Sequence, residues 1–212
     1  MAKWSDIWHE LVEVSAPSAE PITTAEAKAF LRVDHSTQDD LVDDLIAAAR
    51  QRVEADTGRS LITTTWDLTF DQFPDERAIV LPRLPLASVT SITSYDEDDA
   101  SATFASSKYL VDTAQGRSAL NDDEDWPTDL RTHSSAVVRF VAGYGASGSS
   151  VPQPLRLALY QLVAHWFEQP DPIAGIEQVD VAYAGHVAAY RGGQGIGCWR
   201  GDHSTRRGSA SV

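Results

Sequence analysis

The apolar residues of this chain change their spacing twice, and this change limits the folds open to it. Residues 38–57 and 152–169 repeat apolar side chains at the spacing of a helix, whereas residues 61–142 show short β-branched or alternating runs typical of strands. A length of 212 residues supports one ordinary domain with decorations rather than two large ones. We therefore predict an α+β fold: a helical bundle core with an inserted small antiparallel β-subdomain and extended N- and C-terminal arms.

Three helices are predicted within a main domain of residues 21–190, over residues 23–32, 38–57 and 152–169. Thr23 and Glu26 form a capping box at the first helix, and Ser36 with Asp39 repeats this signature before the second. Gly58 supplies the C-terminal stop of the second helix, and Pro152 or Pro154 opens the third. These signals delimit all three helices.

Each of the two longer helices has one predicted apolar face. In the second helix the face comprises Leu41, Leu45, Ala48, Ala49, Arg52 and Val53. In the third it comprises Leu155, Leu159, Leu162, Val163 and Trp166. The acidic first turns of the second helix, with Asp39, Asp40, Asp43 and Asp44, suit the positive end of the helix dipole, so they do not require a metal.

The β-subdomain, about residues 61–142, is predicted to hold strands at 63–70, 79–81, 89–95, 109–111 and 137–142. The acidic segments 96–101 and 121–125 are expected to be exposed turns. Residues 143–150, rich in glycine and serine, are predicted to be a flexible hinge before the third helix.

Both ends of the chain are predicted to be arms. In the N-terminal arm, residues 1–20, Trp4, Ile7, Trp8, Leu11 and Val12 follow helical spacing before a linker rich in proline and alanine. Residues 173–190 are expected to form a fourth helix or an extended arm, and residues 191–212 a flexible basic C-terminal tail.

Charge restricts the class of partner. The net charge is −14, which argues against binding of DNA by an exposed basic face. Residues 191–212 carry four arginines against one aspartate, so the tail is +3 and the preceding chain −17. Such a tail suits an acidic protein surface, although a solvated terminus has the same composition. Without an apolar run long enough for a membrane span or a signal peptide, the expectation is a soluble, intracellular protein.

The residues offer little for catalysis. Cys198 is the single cysteine, and His165 with Glu168 has a metal-compatible spacing but no further ligand nearby. The glycine run 192–197 has no following helix to bind phosphate, and Asp122, Asp123 and Asp125 lack the pattern of a calcium loop. We therefore predict no catalytic, cofactor or metal site.

The order of the segments carries a resemblance to a known family. The chain contains PITTAEAKAFLRV at 21–33, LIAAAR at 45–50 and VEADTGR at 53–59, and this succession resembles the opening of head–tail connector (adaptor) proteins of long-tailed phages and phage-derived gene transfer agents. LITTTW at 61–66, LPRLPLASV at 81–89, FVAGYG at 140–145 and VPQP at 151–154, leading to HWFE at 165–168, follow in the same order. The resemblance covers about residues 20–190.

The resemblance implies a structural protein without enzyme activity or cofactor. It implies a homo-oligomeric ring of about twelve subunits beneath the portal protein, in the neck of a virion or phage-like particle assembled in the bacterial cytoplasm. DNA would pass through the ring without specific binding, no membrane would be involved, and a tail-side stopper or tail-terminator protein would dock below. By analogy, the expected portal-binding residues are Tyr190, Arg191, Cys198, Trp199, Arg200, Arg206 and Arg207.

Two alternatives remain from the sequence. A different virion structural module, such as a tail-completion or decoration protein, would share the absence of catalytic motifs but assemble on another surface. A hydrolase or metal enzyme would use His165, Glu168 and the acidic loops.

Overall fold

The helical and strand patterns form two units in the computed structural model, which describes residues 7, 9–169 and 176–191, without the side chains of 176–181. The helical unit contains α1 (Thr24–Leu31), α2 (Asp39–Thr57), α3 (Gln153–Glu168) and α4 (Ile176–Val187). The β-unit contains β1 (His9–Glu13), β2 (Thr64–Phe70), β3 (Ala78–Val80), β4 (Leu86–Tyr95), β5 (Ser101–Phe104), β6 (Tyr109–Asp112), β7 (Arg117–Leu120) and β8 (Ala136–Ala142). The α+β class is therefore confirmed.

Local signals explain where the first two helices begin and end. The capping box is present, because the Glu26 N–H donates to Thr23 Oγ1 at 3.2 Å and the Thr23 N–H donates to Glu26 Oε2 at 2.9 Å. Gly58, with φ of 65°, ends α2 in the left-handed conformation as predicted. The second predicted box is wrong: Gln38 occupies the N-cap of α2 without a side-chain hydrogen bond, and the Asp39 carboxylate pairs with Lys28 at 2.5 Å instead.

The buried face of α2 is rotated from the predicted one. Its core residues are Val42, Ile46, Ala49 and Val53, whereas Leu41 is exposed. This buried face packs mainly on α3, whose Leu155 and Leu159 belong to the same buried cluster, while α1 lies antiparallel beside α2, with Thr24 donating to Asp43 Oδ1 at 2.5 Å. The face predicted for α3 is correct, since Leu155, Leu159, Leu162 and Val163 are buried and Trp166 packs partly buried against the same core.

The strands form two antiparallel sheets with a core of their own. The five-stranded sheet has the order β1-β2-β8-β4-β5, and the three-stranded sheet has the order β3-β7-β6. Leu68, Phe70 and Phe140 from the first sheet and Ile79 and Tyr109 from the second belong to one buried cluster. The prediction missed the short strands β5 and β7, which lie next to polar turns.

The N-terminal segment does not follow its helical spacing. Residues 9–13 form β1, which pairs antiparallel with β2 and places Leu11 opposite Leu68 and Val12 opposite Asp67. The physical reason is that five residues gain little from one helical turn, whereas the edge of β2 satisfies their backbone groups. Trp4 and Trp8 lie outside the described residues.

A buried ion-pair network joins the two units. Glu54 on α2 accepts the Leu61 N–H at 2.7 Å and pairs with Arg50 at 3.2 Å, and Arg50 also pairs with Glu20 at 2.9 Å. Arg83 donates to the Glu54 carbonyl at 2.9 Å and lies over the Trp66 ring at 4.7 Å. The network ties the N-terminal linker, α2 and the start of the β-unit together.

Residues 143–150, predicted to be a hinge, are held by specific contacts. The Gly143 N–H donates to the Pro85 carbonyl at 2.9 Å, and the Thr63 N–H donates to the Gly145 carbonyl at 2.9 Å. Gly143 has φ of +142°, and a Cβ there would lie 2.5 Å from Thr63 Cα. Glycine therefore serves a close backbone approach at this position, which contradicts the hinge prediction.

Candidate functional site

The start of the basic tail is attached to the end of α2. Of the seven residues expected to bind the portal, Tyr190 and Arg191 are described, and Cys198, Trp199, Arg200, Arg206 and Arg207 lie outside the described residues. The two described residues follow α4 directly, in and after a 3₁₀ turn over Ala188–Tyr190. We call their surroundings the tail root; it comprises Asp56, Arg59, Tyr144, Tyr183, Tyr190 and Arg191.

Tyr190 is held by Arg59. The Arg59 Nε donates to the Tyr190 carbonyl at 3.2 Å, and the guanidinium lies over the Tyr190 ring at 5.6 Å. The same guanidinium donates to Tyr144 Oη at 3.1 Å. Burial raises the pKa of Tyr144, and the Arg59 charge acts against this rise, so the phenol remains neutral at ordinary pH.

Arg191 is placed beside Asp56. Its backbone N–H donates to the Val187 carbonyl at 3.1 Å, and its guanidinium lies 3.8 Å from Asp56 Oδ2. Asp56 Oδ2 also receives Arg52 Nε at 2.9 Å and the Tyr183 hydroxyl at 2.7 Å. Burial and the hydrogen bond to Asp56 raise the pKa of Tyr183. Asp56 thus gathers partners from α2, α4 and the first residue of the tail.

Sequence reasoning missed most of the tail root. Arg52 and Asp56 stand four residues apart on α2, a spacing that identifies a helix ion pair. Arg59 and Tyr144 are 85 positions apart, and the sequence offers no signal for that contact. The arrangement holds Tyr190 and Arg191 in place with aromatic rings and paired charges.

The residues considered for metal binding are not brought together. Within the described part of the chain, no group of three or more histidine, cysteine, aspartate or glutamate side chains could hold a metal ion. His165 and Glu168 lie in the last turn of α3, and Asp122, Asp123 and Asp125 lie exposed in the loop after β7. The glycine run 192–197 is outside the described residues.

Two shallow cavities flank Trp126 at the far end of the β-unit. Their volumes are about 390 Å³ and about 460 Å³, and Trp126, Pro127, Thr128 and Leu130 line both. Trp126 stacks on Phe73 at 4.9 Å and donates to the Glu76 carbonyl at 3.1 Å, so its side chain is engaged in packing within the β-unit. Among the described helices, none is long and apolar enough to cross a membrane.

The described residues form two buried cores, and by sequence residues 1–190 carry −17 whereas residues 191–212 carry +3. A family model described as Head completion protein matches residues 20–171. Since the match spans well over half of the chain, the chain belongs to the head completion protein family. The expected class, a structural protein of the head–tail joint, is confirmed.

Solved structures share the fold. A chain described as from the neck of an empty gene transfer agent (GTA) particle computed with C6 symmetry is 24% identical, with a TM-score of 0.75, 89% of this chain covered and 98% of that chain. A chain from the neck of the native GTA particle computed with C12 symmetry is 25% identical, with a TM-score of 0.67 and the same coverage. A chain from the virion of the native gene transfer agent particle is 22% identical, with a TM-score of 0.75 and coverage of 88% and 97%. A search of curated proteins found no match.

Proposed function

We propose that this protein is a ring subunit in the neck of a phage-like particle, where it joins the portal to the tail without catalysing a reaction. The observation that carries the proposal is the tail root, where a +3 tail begins on a body of −17 at a position held by Arg59 and Asp56. Membership of the head completion family supports the joining role. The charge contrast supports a partner surface that is acidic and proteinaceous.

Portal binding belongs to the tail in this proposal. Tyr190 and Arg191 set its direction, and Cys198, Trp199, Arg200, Arg206 and Arg207 would make the contacts. An aromatic ring with three arginines matches the residue types that dominate protein interfaces. The β-unit and its acidic loops would then face outward or toward a tail-side stopper or tail-terminator protein.

The ring would enclose a channel for DNA. The C6 and C12 symmetry of similar neck structures supports closure into a ring, with about twelve subunits as the expectation. An acidic channel wall does not attract phosphate groups, so DNA could pass without specific binding. The net charge of −14 is consistent with that role.

The mass of the assembled protein tests the proposal. The purified chain, alone and mixed with the portal protein of its own gene cluster, is measured by light scattering and imaged by negative stain. A closed ring, alone or formed on the portal, supports the proposed function. A stable monomer that ignores the portal contradicts it, and a monomer that binds a tail-side protein instead would be a tail-completion protein.

A truncation after Arg191 isolates the contribution of the tail. This cut keeps the Arg191 contact with Asp56, so the tail root stays intact. Portal binding should be lost while the circular dichroism spectrum and the melting temperature stay unchanged. A chain whose residues 192–212 are shuffled but retain their composition is the matched control, because it separates sequence-specific binding from charge attraction.

A further inference from the structure

The outer face of the five-stranded sheet is left open by the described elements. Side chains alternate along β2, so that Trp66, Leu68 and Phe70 enter the core while Asp67 and Thr69 point away from it. None of the described helices makes an extensive contact with this sheet. The outer side chains therefore form a surface, which we call the open sheet face.

The open sheet face consists mainly of β-branched side chains in register across the strands. Glu10 pairs with Thr69, Thr69 with Val137, and Val137 with Thr93. Val12 on the edge strand and Val14 just after it are 46% and 44% exposed, whereas valine side chains are usually buried. The β-branched residues of the face are Val12 on the edge strand β1 with Val14 just after it, and Thr65, Thr69, Thr93, Val137 and Val141 on the inner strands.

Charge distinguishes this face from the rest of the body. In its middle row, Asp67 accepts two hydrogen bonds from Arg139, at 2.8 Å and 2.7 Å, so the two charges neutralise each other. Glu10 at the edge adds one negative charge, whereas residues 1–190 together carry −17. Repulsion between two identical acidic bodies is smaller where one of them presents a nearly neutral surface.

We propose that the open sheet face is the surface through which each copy packs against the next copy in the ring. This inference rests on the proposed ring. A cyclic assembly larger than a dimer joins two different surfaces at every contact, so the face of one copy meets another part of its neighbour. A nearly neutral face of valine and threonine fits such a contact, because it buries apolar area and its central charges, Asp67 and Arg139, are already paired.

The size of the face indicates when the ring forms. Four strands about 4.8 Å apart and five residues of about 3.3 Å each give a footprint on the order of 300–400 Å². A standard stable interface buries about 800 Å² per partner. The face alone therefore supports weak association between free subunits, and a portal that holds many copies close together raises their effective concentration enough to close the ring.

Two charge insertions on different strands test the proposal. Thr93→Glu on β4 and Val12→Glu on β1 each place an unpaired carboxylate on the face, and Leu110→Glu on β6 is the control, since Leu110 is 65% exposed on the other sheet. Sedimentation velocity over a range of protein concentrations measures self-association, and mass photometry on the portal counts bound copies. Circular dichroism confirms the fold of each variant.

We expect both face variants to self-associate about tenfold or more weakly than wild type, and to occupy the portal as scattered single copies. The control should behave as wild type. Complete rings in both face variants, an equal loss in the control, or a wild-type chain that never self-associates would overturn the proposal. If instead the proposed binding to the portal is wrong, no copy of the wild-type chain would bind the portal, while its concentration-dependent self-association would persist.

Discussion

The helical unit and the β-unit hold the two ends of the chain in different ways. The β-unit takes the N-terminal segment into its sheet as β1, through a ladder of backbone hydrogen bonds with β2. The helical unit holds Tyr190 and Arg191 at the tail root chiefly through the Arg59 and Asp56 side chains, with one backbone hydrogen bond from Arg191 to Val187. Backbone pairing holds a segment along its length, whereas a few contacts at one place fix a single point of the chain.

Core truncations make the sharpest test of whether the two units unfold together. Phe140→Ala in the β-unit should cost about 3–5 kcal/mol and Leu159→Ala in the helical unit about 2–5 kcal/mol, because both side chains are fully buried. Urea unfolding is followed by circular dichroism and by tryptophan fluorescence. Coincident curves in both variants indicate one cooperative domain, and separate transitions would mean that the network at Glu54 does not couple the units.

Glu54→Gln tests that coupling directly. The change keeps the shape but weakens the hydrogen bonds from Leu61 and Arg50, so a loss of about 1–3 kcal/mol is expected. Glu97→Gln in an exposed loop of the β-unit is the matched control. Unfolding free energies from urea titration give the comparison, and equal values for the two variants would contradict a role for the network.

The difference in unfolding free energy between wild type and Glu54→Gln should also depend on pH. Burial raises the pKa of Glu54 above its ordinary 4.5, more than the ion pair with Arg50 lowers it. For a raised pKa, the stabilising contribution of the protonated group is full below pH 4.5 and is lost as the pH rises through the raised value. The difference in unfolding free energy between wild type and Glu54→Gln should therefore be largest at acidic pH and shrink above it. A difference independent of pH would be inconsistent with the buried carboxyl.

Arg59→Ala should loosen the tail root without disturbing the β-unit. Loss of the bonds to Tyr190 and Tyr144 is expected to cost about 1–2 kcal/mol, and trypsin should cleave after Arg191 faster than in wild type. Arg77→Ala, which removes contacts with the carbonyls of Asn121 and Asp122, is the control in the other unit. If the two variants are cleaved at the same rate, the tail root is not held by Arg59.

The smallest expected effect concerns the helix N-caps, where Thr23 and Ser36 can be compared. Thr23→Ala should destabilise the protein by about 1 kcal/mol, because Thr23 caps α1. Ser36→Ala should have almost no effect, since Gln38 occupies the N-cap of α2. Thermal unfolding of both variants provides the measurement, and a Ser36 effect as large as that of Thr23 would restore the sequence-based assignment.

Three local predictions succeeded, although the equally local box of Ser36 and Asp39 did not. The Thr23 and Glu26 box and the Gly58 stop depend on residues within one turn, and the apolar face of α3 depends on its own periodicity. Portal binding by Tyr190 and Arg191 stays a prediction. Their contacts had no sequence signal, since Arg59, which binds Tyr190, and Asp56, which lies beside Arg191, come from distant segments.

The sequence by itself determined the α+β class, the positions of the main helices, the charge contrast between body and tail, and the family. The tertiary structure decided the rest. Residues 9–13 became a strand because β2 offered an unpaired edge, α2 leaves Leu41 exposed because its opposite face packs mainly on α3, and the open sheet face exists because the described helices pack elsewhere. The physical reason is that periodicity specifies which faces are apolar, whereas only packing determines which partner covers each face.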